Sequence, residues 1–378
     1  MSEYQKVIRG PGSLARLSES MMKFGMRKPL IVGTEPLISI LMKKNPTLLS
    51  CPVFSGFHPN PDLSDTESGS EHYLQEKCDG LISIGGGSTI DTAKAIKAHL
   101  CAQSHDDMIS GILSVQSPIP HIAIPGTAGT GSEATQSAVM YVNGNKISLD
   151  HPALKPDGVI LDASLLASLP LYHKKSCALD ALAQGIESYW SRNSNDDSRV
   201  HAYLAIIGIL DNLKAYLAGD QHAADEMLDA SFQSGKAIQI TRTTAAHAMS
   251  YMLTKKLGLA HGHACMLTLP VLWEMMLEHE DMHDTLKDLS LKMRLGDVLL
   301  PPRLLKGIFY DLQMEIPPLP DDKTLNELTD SVNTERLSNH PVPLSKDEIR
   351  NAYRKSMTPL CENEKQACID IWNYYGRN

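Results

Sequence analysis

Several features that mark particular classes of protein are missing from this sequence. Aromatic residues make up only 5% of its 378 residues, and its seven cysteines include no Cys-x-x-Cys pair. No apolar run reaches about 18 residues, and the first residues lack the apolar stretch of a signal peptide. The net charge of −9 argues against a nucleic-acid-binding surface or an anionic membrane as partner. These absences argue against a disulfide framework, a zinc knuckle and a nucleic-acid-binding protein, and they favour a cytoplasmic protein with reduced thiols.

The first part of the chain alternates short β-branched runs with turns. Four runs end at a glycine, proline or aspartate, namely Leu30–Val32, Leu81–Ile84, Ile122–Ile124 and Val159–Leu161. Runs of this kind, separated by helical stretches, indicate a parallel sheet covered on both faces. Such sheets bind ligands outside the carboxyl ends of their strands, so we expect a ligand where these turns fall.

Near Pro170 the pattern becomes helical. Apolar residues recur at i, i+3 and i+4, as in residues 181–189, and β-branched runs become rare. The polar segment 193–198 separates two of these helices and supplies an N-cap. A chain of this length, with 42% hydrophobic residues, fits two domains. We therefore predict an α/β domain over residues 1–168 and an all-helical domain over residues 169–378.

Two glycine-rich segments follow neighbouring runs of the predicted sheet. Gly85–Lys94 reads Gly-Gly-Gly-Ser-Thr-Ile-Asp-Thr-Ala-Lys and leads from a strand into a helix, where bare backbone and free N–H groups suit a phosphate. Gly126–Glu133 is a second turn of small and hydroxyl residues. Neither matches GxGxxG or the P-loop pattern, so a tight turn without a ligand is the alternative. Two such loops at one sheet edge nevertheless favour a dinucleotide.

Four polar residues of the helical half form a candidate metal site. Asp180 and Gln184 lie four residues apart, on one face of a predicted helix, and His247 and His261 follow later in the chain. One carboxylate, one amide oxygen and two imidazoles can hold a divalent first-row metal with positions open for a substrate oxygen. Taken singly, each residue is also compatible with a purely structural role.

Together these segments resemble the iron-containing (group III) alcohol dehydrogenase family. The similarity includes Val7–Leu14, the segment Pro59-Asn60-Pro61 and both glycine-rich loops. Asp180 and Gln184 align with the first two metal-ligand positions of the family. His247 and His261, fourteen residues apart, match the other two. A linked set of this kind is far more specific than any single motif.

The resemblance implies a Rossmann-like dinucleotide-binding domain and a helical metal-binding domain, with the active site in the cleft between them. It implies a small aldehyde reduced to its alcohol by hydride from NADPH or NADH. The implied metal is Fe(II), with Zn(II) as the alternative, held by Asp180, Gln184, His247 and His261. The implied cofactor contacts are Gly86, Gly87, Ser88, Asp91, Thr127 and Thr130. We also expect a homodimer.

Two positions depart from the usual family pattern, and a third bears on the choice of cofactor. Gln184 stands where most members have histidine, and Tyr251 stands where many have a histidine four residues after the third ligand. The proton donor is therefore open among Tyr251, His263, water and the cofactor ribose. The second strand ends near Thr34, where NAD-preferring members often carry aspartate. Because threonine admits a 2′-phosphate, we expect NADPH, with NADH usable; a Glu35 directed into the site would instead repel that phosphate and favour NADH.

A narrower resemblance concerns the substrate. Lys146–Leu149, Gln184–Ser191 and Arg242–His247 look like a phosphonoacetaldehyde reductase branch, for which glutamine at the second ligand position is normal. The implied product is 2-hydroxyethylphosphonate. Arg242 is the first candidate for binding the phosphonate and Lys146 the second, although both are equally compatible with solvated surface charges.

Other functions remain open at this point. A generic alcohol or diol dehydrogenase of the lactaldehyde type would share everything except the anion-binding residues. A lyase resembling dehydroquinate synthase shares the architecture but has a Glu-His-His metal set, which Asp180 and Gln184 do not match. A binding protein with degenerate catalysis would be expected to lose a ligand or a glycine-rich loop.

Overall fold

The computed structural model describes residues 5–59, 61–114 and 119–375. Asn60 of the Pro59–Pro61 segment lies outside the described residues. The chain divides into two compact units. The first unit runs up to Leu169 and also includes Gly219–Gly235, while the second comprises Pro170–Ala218 and the chain from Lys236 onward. Residues 219–235 therefore group with the first unit and not with the helices next to them in the sequence.

The first unit is built on a parallel sheet, as the apolar runs predicted. The strands of the described chain are β1 (Lys6–Arg9), β2 (Leu30–Gly33), β3 (Val53–Phe54), β4 (Leu81–Gly85), β5 (His121–Pro125), β6 (Ser137–Val142), β7 (Asn145–Asp150) and β8 (Gly158–Leu161). Six of them form one sheet in the order β1-β8-β5-β4-β2-β3, with every pairing parallel. All residues of β2, β4, β5 and β8 are buried, which explains why these strands read as continuous apolar runs.

Strands β6 and β7 form an antiparallel hairpin that the sequence analysis missed. Ser137 pairs with Asp150 at its open end and Val142 with Asn145 at its turn. The two turn residues, Asn143 and Gly144, both have positive φ, of 51° and 76°. An Asn-Gly pair between two strands is the usual signal for this turn, because both residues tolerate the left-handed region. The hairpin carries Lys146, which is exposed.

The remaining regular structure is helical. The α-helices are α1 (Leu17–Lys23), α2 (Glu35–Lys44), α3 (Leu63–Gln75), α4 (Gly87–Cys101), α5 (His105–Ile109), α6 (Leu171–Trp190), α7 (Asp196–Leu217), α8 (Gln221–Thr241), α9 (Ala245–Leu257), α10 (His261–Met276), α11 (His283–Lys292), α12 (Leu300–Asp311), α13 (Asp322–Asp330), α14 (Thr334–Leu337), α15 (Lys346–Ser356) and α16 (Glu362–Tyr375). Within its described residues the second unit contains helices and no strand, as predicted. The expected N-cap is Asn195, which forms a capping box with Ser198 at the start of α7.

Helix α10 packs closely against α6 at its first turn. A Cβ atom on Gly262 would lie 2.0 Å from the carbonyl oxygen of Ser176 and 2.6 Å from the backbone nitrogen of Asp180. Only glycine permits this approach, and it brings the start of α10 against the middle of α6. Among the described residues, no helix is long and apolar enough to cross a membrane. None of the seven cysteines is in a disulfide.

Candidate functional site

Four side chains of the second unit converge in one cluster. Donor atoms of Asp180, His247, His261 and Cys265, here called the donor cluster, all lie within 4.8 Å of one another. Oδ1 of Asp180 is 3.3 Å from Nε2 of His247 and 3.7 Å from Nε2 of His261. Three of the four residues are buried, and the His261 side chain is 39% exposed. Most of the cluster is therefore buried inside the second unit, and only the imidazole of His261 is partly exposed.

Gln184 lies beside this cluster on the same face of α6 as Asp180. Its Nε2 is 3.4 Å from Oδ2 of Asp180, the carboxylate oxygen other than the one nearest the two imidazoles. Gln184 is 4% exposed. The predicted set of Asp180, Gln184, His247 and His261 is thus brought together, and which of its members bind a metal stays a prediction.

Glu187 is a residue of this site that the sequence analysis missed. It is fully buried, and its Oε2 contacts Nδ1 of His247. Its Oε1 accepts hydrogen bonds from Oγ1 of Thr244 (2.6 Å) and the backbone nitrogen of Ala246 (2.8 Å), which caps the open end of α9. Because Nδ1 of His247 is bound to Glu187, Nε2 is directed into the donor cluster. The i, i+4, i+7 spacing of Asp180, Gln184 and Glu187 on one helix was the available signal.

Cys265 is the second missed residue. It lies one turn after His261 on α10, and its Sγ is 3.9 Å from Nε2 of His261. Burial alone would raise the pKa of the Cys265 thiol, but His247 and His261 outweigh it and lower this pKa to about 7. Burial likewise opposes protonation of His247, yet Cys265 and Glu187 hold the pKa of His247 well above its ordinary value. The four-residue spacing from His261 was again visible in the sequence.

The donor cluster fits a divalent first-row metal. Carboxylate, imidazole and thiolate are the donor types that such ions take in proteins. Nε2 of His247 is buried and has no well-formed hydrogen bond among the described residues. A buried imidazole nitrogen in that state is costly unless a cation or a proton satisfies it. The group therefore has the donor types of a metal site and a buried imidazole nitrogen that a cation would satisfy.

The two candidate proton donors have different surroundings. The ring of Tyr251 stacks on that of His261, with centroids 6.3 Å apart. Burial raises the pKa of Tyr251, so the phenol keeps its proton near neutral pH. His263 is 1% exposed and packs against Phe309. Its Nδ1 is 3.0 Å from the Tyr172 hydroxyl and its Nε2 is 2.8 Å from the carbonyl oxygen of Glu315, so both ring nitrogens are already engaged.

A second cation accompanies Arg242. Burial lowers the pKa of Arg242 and the nearby Arg336 lowers it further. Arg336 also hydrogen-bonds Tyr251. Arg242 follows directly after α8 with φ of 61°, a left-handed conformation that a non-glycine residue adopts at some cost. Arg336 was not predicted, because nothing in the local sequence connects it to residues nearly a hundred positions earlier. Lys146 belongs to the first unit.

The two glycine-rich loops of the first unit meet at one edge of its sheet. The backbone nitrogen of Gly126 donates to the carbonyl oxygen of Gly85 (2.8 Å), which joins the ends of β4 and β5. A Cβ atom on Gly87 would lie 2.8 Å from Cγ2 of Thr130, so the first loop needs glycine where the second passes it. Helix α4 starts here with no side-chain cap, which leaves its first N–H groups available to a phosphate.

Asp91 and Lys94 brace these loops from α4. Oδ1 of Asp91 accepts from the Ser132 hydroxyl (2.6 Å) and Oδ2 from the backbone nitrogen of Val139 (3.1 Å). Nζ of the fully buried Lys94 donates to the carbonyl oxygens of Ser132 (2.6 Å) and Ser137 (2.8 Å). The Asp91 carboxylate is thus used within the protein to hold the second loop. Its direct contact with a cofactor stays a prediction, as do those of Gly86, Gly87, Ser88, Thr127 and Thr130.

Thr34 and Glu35 lie beside the first loop. Strand β2 pairs with β4 in the register Gly33 to Ile84, so the residues after β2 emerge next to Gly85. Thr34 is the N-cap residue of α2, and both it and Glu35 are exposed. This is where a ribose 2′-substituent is sensed in dinucleotide-binding sheets.

Two models of known protein families together match most of the chain. The family model "Iron-containing alcohol dehydrogenase" matches residues 5–163, and the model "Fe-containing alcohol dehydrogenase family, C-terminal" matches residues 175–298. The first match contains both glycine-rich loops. The second contains the complete donor cluster, Gln184 and Glu187.

Individual relatives include several alcohol dehydrogenases. The chain is 32% identical to the probable alcohol dehydrogenase EutG of Escherichia coli (strain K12), over 70% of each chain. It is 35% identical to the phosphonoacetaldehyde reductase of Streptomyces viridochromogenes over 56% of this chain and 57% of that protein. The crystal structure of sulfoacetaldehyde reductase from Bifidobacterium kashiwanohense in complex with NAD+ superposes with a TM-score of 0.85 at 24% identity, covering 94% of this chain and 97% of that one. At 24% identity, this last match shows that the two proteins share a fold.

Proposed function

Since this chain belongs to the iron-containing alcohol dehydrogenase family, we propose that it reduces phosphonoacetaldehyde to 2-hydroxyethylphosphonate. Members of the family are oxidoreductases that act on alcohols and aldehydes and use a metal and NAD(H). The observation that carries the choice of substrate is the pair Arg242 and Arg336, which interact with each other and, through Arg336, with Tyr251. A small aldehyde with an anionic group is the substrate class that such a site would select.

The donor cluster is the proposed metal centre. Asp180, His247 and His261, with Gln184 beside them, would hold a divalent ion. When bound, the ion supplies Lewis-acid polarisation of the aldehyde oxygen, and the reduced nicotinamide supplies the hydride. Glu187 keeps His247 in the orientation that this centre requires, since it binds Nδ1 and leaves Nε2 for the cluster.

Tyr251 is the proposed proton donor to the oxygen of the reduced substrate. Its ring stacks on that of His261, and His247 and Cys265 of the donor cluster both act on the pKa of its hydroxyl. Its raised pKa keeps the phenol protonated near neutral pH, and the hydrogen bond from Arg336 helps it to release that proton when hydride transfer creates a negative oxygen. His263 is a weaker candidate, because both of its ring nitrogens are engaged by Tyr172 and Glu315.

The guanidinium groups of Arg242 and Arg336 are proposed to bind the phosphonate. Arg242 and Arg336 repel each other in a half-buried position, and the carboxylate of Glu335 offsets part of this repulsion. A substrate anion between the two guanidinium groups would stabilise both further. Guanidinium suits planar, bidentate contacts to phosphonate oxygens. The relationship to a phosphonoacetaldehyde reductase is consistent with this substrate. The role of Lys146 in binding the phosphonate stays a prediction from the sequence.

For the cofactor we favour NADPH, with NADH usable. Of the exposed side chains after β2, Thr34 carries no charge that would repel a 2′-phosphate, whereas Glu35 would repel it if directed into the site. Iron as the resident metal, the homodimer and the cytoplasmic location remain predictions from the sequence.

An aldehyde screen tests the substrate. Metal-free protein is reconstituted with Fe(II) or Zn(II) and assayed with phosphonoacetaldehyde and with propanal, each with NADH and with NADPH. We expect the highest kcat/KM for phosphonoacetaldehyde. A preference for propanal would refute the phosphonate proposal and leave a generic alcohol or diol dehydrogenase, as the similarity to EutG would suggest. Full activity of the metal-free protein would refute the metal centre.

A further inference from the structure

Cys265 occupies a position at the donor cluster that neither the family resemblance nor the proposed function uses. It is the fifth residue of α10 and is completely buried. His261 is the first residue of the same helix, so the two side chains lie on one face, one turn apart. The helix that presents one imidazole to the cluster therefore presents a sulfur atom with it.

The geometry points to Cys265 as a thiolate ligand of the same ion that Asp180, His247 and His261 would hold. This inference rests on the metal centre of the proposed function and adds a sulfur donor to it. In a tetrahedral site with metal–nitrogen and metal–oxygen bonds of about 2.1 Å and a metal–sulfur bond of about 2.3 Å, neighbouring donor atoms are roughly 3.4–3.6 Å apart. The observed separations of 3.3, 3.7 and 3.9 Å are close to these values.

A second observation supports a cation at this point. Nε2 of His247 is buried without a well-formed hydrogen bond among the described residues, and Oδ1 of Asp180 lies 3.3 Å from it. With Nδ1 of His247 bound to Glu187, Nε2 is the ring nitrogen that faces this carboxylate oxygen. A cation lying between the two buried atoms would satisfy both.

The position of Gln184 leaves room for this assignment. Its Nε2 is near Oδ2 of Asp180, whereas Oδ1 of the same carboxylate faces the two imidazoles. An amide that donates a hydrogen bond to Oδ2 orients the Asp180 carboxylate, so Gln184 acts here as a positioning residue. The sulfur of Cys265 then supplies the fourth protein donor, and the substrate oxygen would join as a fifth ligand, an expansion that catalytic metal sites undergo.

The inference has consequences for metal preference. Sulfur binds the ion as thiolate, so the thiol proton passes to solvent when the metal enters. Thiolate is a soft ligand that favours Zn(II) and its spectroscopic substitute Co(II) over harder ions. Since most protein sites bind Zn(II) more tightly than Fe(II), the thiolate should show itself as a larger preference, and we expect Cys265→Ser to reduce the ratio of Zn(II) to Fe(II) affinity by at least tenfold.

Cobalt substitution tests the sulfur directly. The metal-free full chain is titrated with Co(II) while the absorption spectrum is recorded. The wild-type protein should show a sulfur-to-cobalt charge-transfer band in the near ultraviolet together with the visible d–d bands. Cys265→Ser and Cys265→Ala should lose the charge-transfer band, retain d–d bands and bind Co(II) at least tenfold more weakly. Cys101→Ser, which alters a buried cysteine of the first unit, should behave like the wild type.

The failures of the two proposals are distinguishable. Wild-type protein that binds Co(II) with d–d bands but without the charge-transfer band refutes the role of Cys265 and leaves the metal centre intact. Wild-type protein that binds no Co(II), or His261→Ala that binds it unchanged, refutes the centre itself and the Cys265 inference with it. Should both Cys265 variants fail to fold, X-ray absorption of the wild-type zinc protein decides: one sulfur at about 2.3 Å is expected, and a shell of nitrogen and oxygen alone overturns the inference.

Discussion

Glu187 holds His247 by Nδ1, and the opposite nitrogen of the same ring lies 3.3 Å from Oδ1 of Asp180. A carboxylate on one side of an imidazole fixes its tautomer and orientation and makes the other nitrogen a better ligand. Because Glu187 also caps the first turn of α9 through Ala246, the same side chain positions the helix and the imidazole. The ligand is thus oriented before any metal arrives.

The first prediction follows from this contact. Glu187→Gln keeps a carbonyl oxygen for Thr244 and Ala246 but loses the negative charge beside His247. Loss of such a partner typically weakens metal binding by about 10- to 100-fold. Competition with a chromophoric chelator should show this loss for Zn(II), and thermal unfolding of the metal-free protein should show a much smaller change. Unaltered zinc affinity in a folded variant would mean that Glu187 serves only to cap α9.

The second prediction concerns the two arginines. Removal of one charge-assisted contact costs about 1.5–3 kcal/mol, so Arg242→Ala and Arg336→Ala should each lower kcat/KM for phosphonoacetaldehyde roughly 10- to 100-fold. Arg242→Ala should change the reduction of uncharged propanal little. Arg16→Ala removes an exposed arginine of the first unit and serves as the control. Equal losses on both substrates for Arg242→Ala would show that this residue does not bind the anion.

The third prediction concerns the cofactor. Thr34→Asp places a negative charge at the end of β2, where it would repel a 2′-phosphate and accept a hydrogen bond from a 2′-hydroxyl. At an exposed site such repulsion is worth about 1 kcal/mol or more, which is roughly fivefold in the ratio of NADPH to NADH efficiency. Aspartate is a good N-cap residue, so α2 should persist. Thr47→Asp adds the same charge elsewhere in the first unit and should leave the ratio unchanged.

The fourth prediction concerns acid stability. Burial lowers the pKa of His340 to about 4, with smaller contributions from Arg192 and His279 against an opposing one from Glu187. The unfolded chain, with an ordinary histidine pKa of about 6.5, binds this proton more readily than the folded protein. Stability that is present above about pH 6.5 is therefore lost as the pH falls towards 4, by roughly 2 kcal/mol at pH 5.

Urea unfolding at pH 7.5 and pH 5 measures this loss. His340→Gln should lose roughly 2 kcal/mol less than the wild type over the interval, because glutamine does not titrate. His283→Gln changes an exposed histidine and should follow the wild type. Parallel losses in wild type and His340→Gln would show that protonation of His340 is not what destabilises the acid form.

The local pattern of the sequence predicted most of the fold. Buried strands such as β4 and β5 are continuous apolar runs because both faces of a parallel sheet are covered, and this signal needs no long-range information. The 3.6-residue periodicity predicted the helical half, and the polar segment 193–198 predicted an N-cap, which is Asn195. The Asn143-Gly144 turn was equally local and was overlooked. The residues of the predicted metal set were found through the family resemblance, which carries information that spacing alone does not.

By itself the sequence determined which segments form strands and helices and which residue types were available to a metal and a nucleotide. Only the tertiary structure decided which of those side chains meet. Cys265 joins Asp180 because Gly262 lets α10 approach α6, and Arg336 reaches Tyr251 from a short helix far along the chain. Periodicity reports the face of one helix, whereas a contact between two helices depends on where they cross and at what depth. The crossing point and depth of two helices are set by packing across the whole unit, so a local sequence pattern does not predict them.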